Sequence, residues 1–98
     1  MKSSVRSDWE HVVLVCGKCS KRLNGGFGPK RRTPLAKALR KFLGVKKGRK
    51  GTLGIVETKC LGVCPRGAVT VINGTESREW LLVPAATNLY EFMSEIGI

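Results

Sequence analysis

Four cysteines, arranged in two close pairs, restrict this sequence more than any other feature does. Cys16 and Cys19 are separated by two residues, Cys60 and Cys64 by three, and no cysteine is left over. Soft thiolates that converge on one point select zinc, copper(I) or an iron–sulfur cluster. If both pairs serve one centre, the fold must bring two distant segments of the chain to the same place.

The pattern of apolar residues predicts an α/β fold with the element order β-α-β-β-β-α. The nearly continuous apolar run at 11–15 is typical of a strand in the middle of a sheet. Further predicted elements are a helix from Pro34, with Thr33 as its cap and Gly44 at its end, strands at 53–57, 68–72 and 79–83, and a closing helix at 87–96. The first β-α-β unit predicts parallel strands joined by a right-handed crossover, and the last two strands predict a hairpin. The sheet is therefore expected to be mixed.

Each predicted helix has one apolar face. On the first helix, the residues expected to pack into the core are Leu35, Ala38, Leu39 and Phe42. On the closing helix they are Leu89, Phe92 or Met93, and Ile96. The stretches 17–32 and 58–67 are predicted to be loops. Residues 1–10 are expected to form a flexible N-terminal segment, and residues 11–98 one domain.

Both cysteine pairs fall at strand ends in this prediction. Cys16 follows the first strand, and Cys60 and Cys64 lie in the loop before the strand at 68–72, so both pairs can lie at one end of the sheet. Structural zinc is commonly held by two pairs that each have two intervening residues. An iron–sulfur cluster accepts varied spacing, because each of its two irons takes two thiolates. Buried core cysteines and disulfides are two further interpretations.

The second cysteine segment resembles a known family. Residues 59–71 read Lys-Cys-Leu-Gly-Val-Cys-Pro-Arg-Gly-Ala-Val-Thr-Val. This is similar to the Cys-x-Gly-x-Cys segment, followed by a glycine and a strand, of the thioredoxin-like [2Fe–2S] ferredoxins. The run Val13-Leu14-Val15-Cys16 resembles the first strand and first ligand of that family. The resemblance covers about residues 11–83.

The resemblance implies a thioredoxin-like domain that carries one [2Fe–2S] cluster and transfers single electrons. It also implies kinship with the ferredoxin-like subunits of NADH dehydrogenases and hydrogenases. Carried over residue by residue, the cluster ligands are Cys16, Cys19, Cys60 and Cys64. The chain departs from many family members at its first pair, where the gap is only two residues. On this reading the protein is an electron carrier and not an enzyme.

The charge of the chain is strongly positive, with a formal value of +11 over 98 residues. Thirteen basic residues and no acidic residue lie between Glu10 and Glu57. One hypothesis is a docking surface for an acidic redox-partner protein, and another is a surface that only maintains solubility. The main alternative function is a structural zinc protein that contacts nucleic acid through the basic segment 18–50. Only Phe27 and Phe42 are aromatic there, which argues against base stacking.

A thiol–disulfide redox protein that uses Cys16 and Cys19 is a third hypothesis. Thiol activation at a helix N-terminus needs a helix directly after Cys16, and the predicted loop from Gly17 argues against it. Lys18, Lys59 and Arg66 flank the ligands, where positive charge would favour a reduced cluster. His11 has no evident catalytic partner. The polar N-terminus and the short apolar runs predict a cytoplasmic chain without a membrane span, for which a homodimer is possible.

Overall fold

In a computed structural model, which describes residues 3–45 and 48–97, the chain forms four strands and three helices. The elements are β1 (His11–Cys16), α1 (Gly17–Arg22), α2 (Leu35–Leu43), β2 (Leu53–Thr58), β3 (Ala68–Asn73), β4 (Leu81–Pro84) and α3 (Leu89–Ile96). The predicted α/β class is confirmed. The observed order contains one helix more than the prediction, because α1 follows β1 directly.

The four strands form one mixed sheet in the order β2-β1-β3-β4. β1 runs parallel to β2, with His11 opposite Leu53 and Cys16 opposite Thr58. β3 is antiparallel to both β1 and β4. The predicted parallel pair, the hairpin and the central place of β1 are therefore confirmed. In this arrangement the ends of β1 and β2 and the start of β3 lie at one end of the sheet, which we call the cysteine end.

The core lies on one face of the sheet. Val13 and Val15 of β1 are buried and join the buried residues of α2 and α3 in one cluster. Two side chains tie the helices to this layer. The Arg40 guanidinium donates to the Ile55 carbonyl at 2.7 Å, and the Asn73 amide donates to the Ile96 carbonyl at 3.2 Å. On the other face, Val12, Leu14 and Val56 are half-buried and Leu82 is exposed, whereas Thr70 and Ile72 of β3, which lie opposite Leu82 and Leu14, are buried.

Helix α1 corrects the predicted loop at 17–32. Its sequence is Gly-Lys-Cys-Ser-Lys-Arg, in which Cys19 is the single apolar side chain that is buried. A six-residue helix with one buried apolar position has no periodicity to detect. The close approach of its first residue to β2 depends on glycine, since a Cβ on Gly17 would lie 2.4 Å from the Thr58 carbonyl oxygen. The helix therefore follows from tertiary packing.

The first predicted helix begins and packs differently from expectation. Thr33 is not its cap, because its backbone pairs with Phe27, and the extended residue before α2 is Pro34. Phe42, expected in the core, is 50% exposed. Leu43 packs against the core in its place. Positions 42 and 43 both lie about one helical turn after Leu39, and the position of the sheet decides which of them is covered. The predicted end is confirmed, as Gly44 adopts a left-handed conformation with φ of 67°.

The closing helix confirms its predicted inward face. Phe92 and Ile96 are buried, and Leu89 and Met93 pack against the core. The helix begins two residues later than predicted, because the Asn88 side chain accepts from the N–H groups at 90 and 91 and caps it.

The N-terminal segment is tied to the loop before β2. The Asp8 N–H donates to the Arg49 carbonyl at 2.7 Å, and the Trp9 indole N–H donates to the Gly48 carbonyl at 2.9 Å. Lys46 and Lys47, two of the thirteen basic residues, lie outside the described residues. Within the part of the chain that is described, no helix has the length and apolar character needed to cross a bilayer.

Candidate metal centre

The junction of β1 and α1 holds the first cysteine pair inside the molecule. Cys16 is the last residue of β1, and Cys19 is the third residue of α1. Both are buried, with exposed fractions of 0% and 2%. The Ser20 hydroxyl donates to the Cys16 carbonyl at 3.1 Å, which satisfies a buried polar side chain within the same turn.

The loop between β2 and β3 wraps over this first pair. The Lys18 N–H donates to the Lys59 carbonyl at 3.0 Å. The Cys19 thiol lies 3.6 Å from the Val63 carbonyl, and the N–H of Leu61 lies close enough to the Cys16 sulfur to lower the pKa of that thiol. Residues 59–63 thus contact both buried cysteines. The structure therefore brings the two cysteine segments to the same end of the sheet.

Thr70 of β3 fastens this loop, a role that the sequence analysis missed. Its side chain is buried, and its hydroxyl donates to the Val63 carbonyl at 3.0 Å. The same oxygen lies 4.0 Å from the Cys19 sulfur. The signal in the sequence is a hydroxyl within the otherwise apolar run Ala68–Ile72. Such a side chain needs a partner when it is buried in a sheet.

The second cysteine pair faces solvent. Cys60 and Cys64 are both exposed, and all four cysteines are free thiols. The Gly62 N–H donates to the Cys60 sulfur at 3.3 Å. Gly62 makes this turn with a φ of 87°, a conformation that other residues seldom adopt. The turn leaves the thiol of Cys60 exposed, whereas that of Cys16 is buried.

The two buried thiols are shifted in opposite directions. Burial raises the pKa of Cys16, but the N–H groups of Cys19, Leu61 and Lys18 outweigh it, so the net pKa is lowered. Burial and, to a smaller extent, the neighbouring Cys16 raise the pKa of Cys19. Hydrogen bonds with Thr70 act in the opposite direction and do not outweigh them. Of the two thiols, Cys16 is therefore the one that deprotonates more readily.

The four sulfurs share one end of the sheet without forming a ligand set. Within residues 3–45 and 48–97, no three side chains of His, Cys, Asp or Glu are placed so that they could hold a metal ion. The chemistry of the donor set fits an iron–sulfur cluster or zinc, since both take thiolates. The N–H groups near the Cys16 sulfur also fit a cluster, because hydrogen bonds to the sulfurs of a cluster tune its reduction potential. Completing the set requires the loop at 60–64 to turn its two thiols inward.

Positive side chains surround the exposed pair. Lys18, Lys59 and Arg66, which flank the cysteines in sequence, are all exposed. A groove of about 570 Å³ beside Cys60 is lined by Gly17, Lys18, Lys21, Glu57, Thr58 and Lys59. A larger groove of about 640 Å³ lies at the opposite end, between α2 and β2, so cavity size does not mark the cysteines.

His11 does not belong to the cysteine end. It is the first residue of β1, five positions before Cys16, and it lies at the opposite end of the strand. Its Nδ1 atom is buried without a hydrogen-bond partner. The Gly25–Gly28 segment, part of the predicted loop at 17–32, leads into a turn in which the backbone of Phe27 pairs with that of Thr33 and the Phe27 ring is buried.

Comparison with protein-family models, with curated proteins and with solved structures found nothing that matches this chain.

Proposed function

We propose that this protein binds one [2Fe–2S] cluster through Cys16, Cys19, Cys60 and Cys64 and carries single electrons. The observation that carries the proposal is the contact between the two cysteine segments. The Val63 carbonyl lies 3.6 Å from the Cys19 sulfur, and the Lys59 carbonyl accepts from the Lys18 N–H at 3.0 Å. The N–H of Leu61 lies near the Cys16 sulfur. A loop that already touches both buried ligands needs only a local change to bring in its own two thiols.

The architecture supports a thioredoxin-like assignment. The mixed sheet in the order β2-β1-β3-β4, with one parallel and two antiparallel pairs, is compatible with the thioredoxin-like domain that the resemblance of the sequence leads us to expect. The second cysteine pair lies in the connection between β2 and β3, which has no helix or strand of its own.

Several residues of this chain would serve the cluster. When bound, the cluster supplies one-electron redox chemistry. Burial of Cys16 and Cys19 excludes water from one side of the site. The N–H groups of Lys18 and Leu61 stabilise negative charge on the Cys16 sulfur. The exposed Cys60 and Cys64 lie on the side from which a partner would approach.

Anaerobic reconstitution with iron and sulfide tests the proposal. We expect two irons and two sulfides per chain, and a visible absorption that dithionite bleaches. Cys16→Ser and Cys60→Ser should each lose most of the iron. Met93→Leu is the matched control, because it removes the one other sulfur among the described residues, and it should keep the cluster.

The alternatives give different outcomes in the same experiment. A colourless protein with one zinc per chain would replace the proposal with the structural zinc alternative. A colourless protein that takes up no metal would refute both assignments.

A second candidate function is thiol–disulfide exchange by Cys16 and Cys19. The start of α1 at Gly17 favours it, since the sequence-based objection rested on a loop at that position. In this reaction two thiols become one disulfide, and two electrons and two protons pass to a disulfide substrate, which becomes two thiols. Burial of both cysteines opposes it, because attack needs an accessible sulfur. Reduction of oxidised glutathione by the metal-free chain, and its loss in Cys19→Ser, would establish this activity.

A further inference from the structure

Exposed positive charge is concentrated at the cysteine end. Eight exposed basic residues belong to the segments that meet there: Lys18, Lys21 and Arg22 of α1, Lys30, Arg31 and Arg32 of the following turn, and Lys59 and Arg66 of the loop before β3. The turn is held at this end because the Gly26 N–H donates to the Arg31 carbonyl and the Gly26 carbonyl accepts from Ala86, next to the end of β4. Only Glu57 and Glu91 supply negative charge nearby.

The opposite end of the sheet has a balanced charge among its described residues. Its five acidic residues are Asp8, Glu10, Glu76, Glu79 and Glu95. Five basic residues, Arg6, Lys41, Arg49, Lys50 and Arg78, lie among them. Among the described residues, most of the net positive charge therefore lies at the cysteine end; Lys2, Lys46 and Lys47 are outside them. A surface that only maintained solubility would not need such segregation.

We propose that the cysteine end is a docking surface for an acidic face of a partner protein. The proposal rests on the proposed function for its purpose, which is to bring the electron-exchanging centre of that partner to the cluster. Positive charge around Cys60 and Cys64 would orient the encounter so that the redox centres approach first. Charge steering of this kind raises association rates and falls with ionic strength.

The structure favours a protein partner over a nucleic acid. Phe27 is 1% exposed, and Phe42 lies at the far end of α2. Among the described residues of the segment 18–50, no aromatic ring is therefore presented at the cysteine end. Tyr90, at the start of α3, is an exposed ring near that end, but stacking on successive bases needs several rings. The basic side chains there surround a candidate redox site, as an electron-transfer interface requires.

Matched charge reversals test the docking surface. The first variant combines Lys21→Glu, Lys30→Glu and Arg32→Glu, which lie at the cysteine end without adjoining a cysteine. The control combines Lys41→Glu, Lys50→Glu and Arg78→Glu and has the same net charge. Binding of a poly-glutamate peptide and of a DNA duplex is measured for both variants and the parent chain, at about 50 and about 200 mM salt.

We expect the cysteine-end variant to lose about tenfold in affinity for poly-glutamate, and the control to lose less than about twofold. Equal losses in both variants would overturn the proposal, because they would show a diffuse charge effect. Tighter binding of the duplex, weakened by the cysteine-end variant, would overturn it in favour of a nucleic-acid interface. Iron and sulfide content is measured on the same samples, so that a failure of cluster binding is recorded separately from a failure of docking.

Discussion

The two cysteine pairs lie at the same end of one sheet, but the fold holds them in opposite ways. Cys16 and Cys19 belong to a strand and a helix and are buried. Cys60 and Cys64 belong to a loop and are exposed. The first pair is positioned by the backbone of regular elements, whereas the second depends on a few hydrogen bonds from its own turn and from Thr70.

In the cluster site that we propose, this difference would divide the labour between the pairs. A buried pair that is already ordered would lose little conformational entropy on binding the cluster. A loop pair would adjust to the spacing of the irons and admit the group from solvent. The two pKa shifts, downward at Cys16 and upward at Cys19, both belong to the buried pair. Four predictions test how far the two pairs differ.

The largest expected difference is in thiol accessibility. In the metal-free chain, iodoacetamide should modify Cys60 and Cys64 about a thousandfold faster than Cys16 and Cys19, because the buried pair reacts only after the fold opens. Mass spectrometry of peptides over a time course measures each rate. Urea should remove the difference. Similar rates for all four cysteines without urea would show that the first pair is not held as described.

Alanine substitution of the glycine inside each cysteine pair should lower the free energy of unfolding by different amounts. Gly17→Ala should destabilise the fold by about 3 kcal/mol, because the new Cβ would lie 2.4 Å from the backbone carbonyl of Thr58. Gly62→Ala meets no atom within 4 Å and should cost only about 1 kcal/mol for its positive φ. Urea unfolding measures both. An equal cost would mean that the β1–α1 junction can shift away from β2.

Serine substitution should separate the pairs by burial. Cys16→Ser places a hydroxyl in a site with 0% exposure and should lower the stability of the metal-free chain by about 2 kcal/mol. Cys64→Ser is at an exposed position and should change it by less than about 0.5 kcal/mol. Thermal unfolding of the metal-free variants gives the comparison. A large effect of Cys64→Ser would indicate that the loop is more ordered than its exposure implies.

The smallest expected effect on stability comes from the hydrogen bond by which Thr70 holds the loop of the second cysteine pair. Thr70→Val removes the hydroxyl that donates to the Val63 carbonyl and should cost about 1 kcal/mol. It should also speed amide exchange in the loop at 60–64. Thr52→Val, at an exposed position before β2, is the matched control and should leave the loop unchanged. Unaltered exchange in Thr70→Val would show that other contacts fasten the loop.

Local patterns were sufficient for most of the architecture. Continuous apolar residues placed β1 at the centre of the sheet, and a glycine at 44 ended α2 as predicted. These features depend on backbone preferences and on burial, both of which leave a recognisable pattern of residues within a short segment of the sequence. Phe42 shows the limit of the same reasoning. Both 42 and 43 continue the apolar face of α2, and only the position of the sheet selects Leu43 for the core.

The cysteine spacing, the excess of basic residues and the order of the four strands along the chain are properties that the sequence determined by itself. The helix at 17–22, the wrapping of the 59–63 loop over the first pair and the bond from Thr70 were decided only by the tertiary structure. The physical reason is that each of these three depends on contacts between residues far apart in the chain. The Gly17 approach to Thr58 and the Val63 contact with Cys19 leave no periodic signal in the segments that make them.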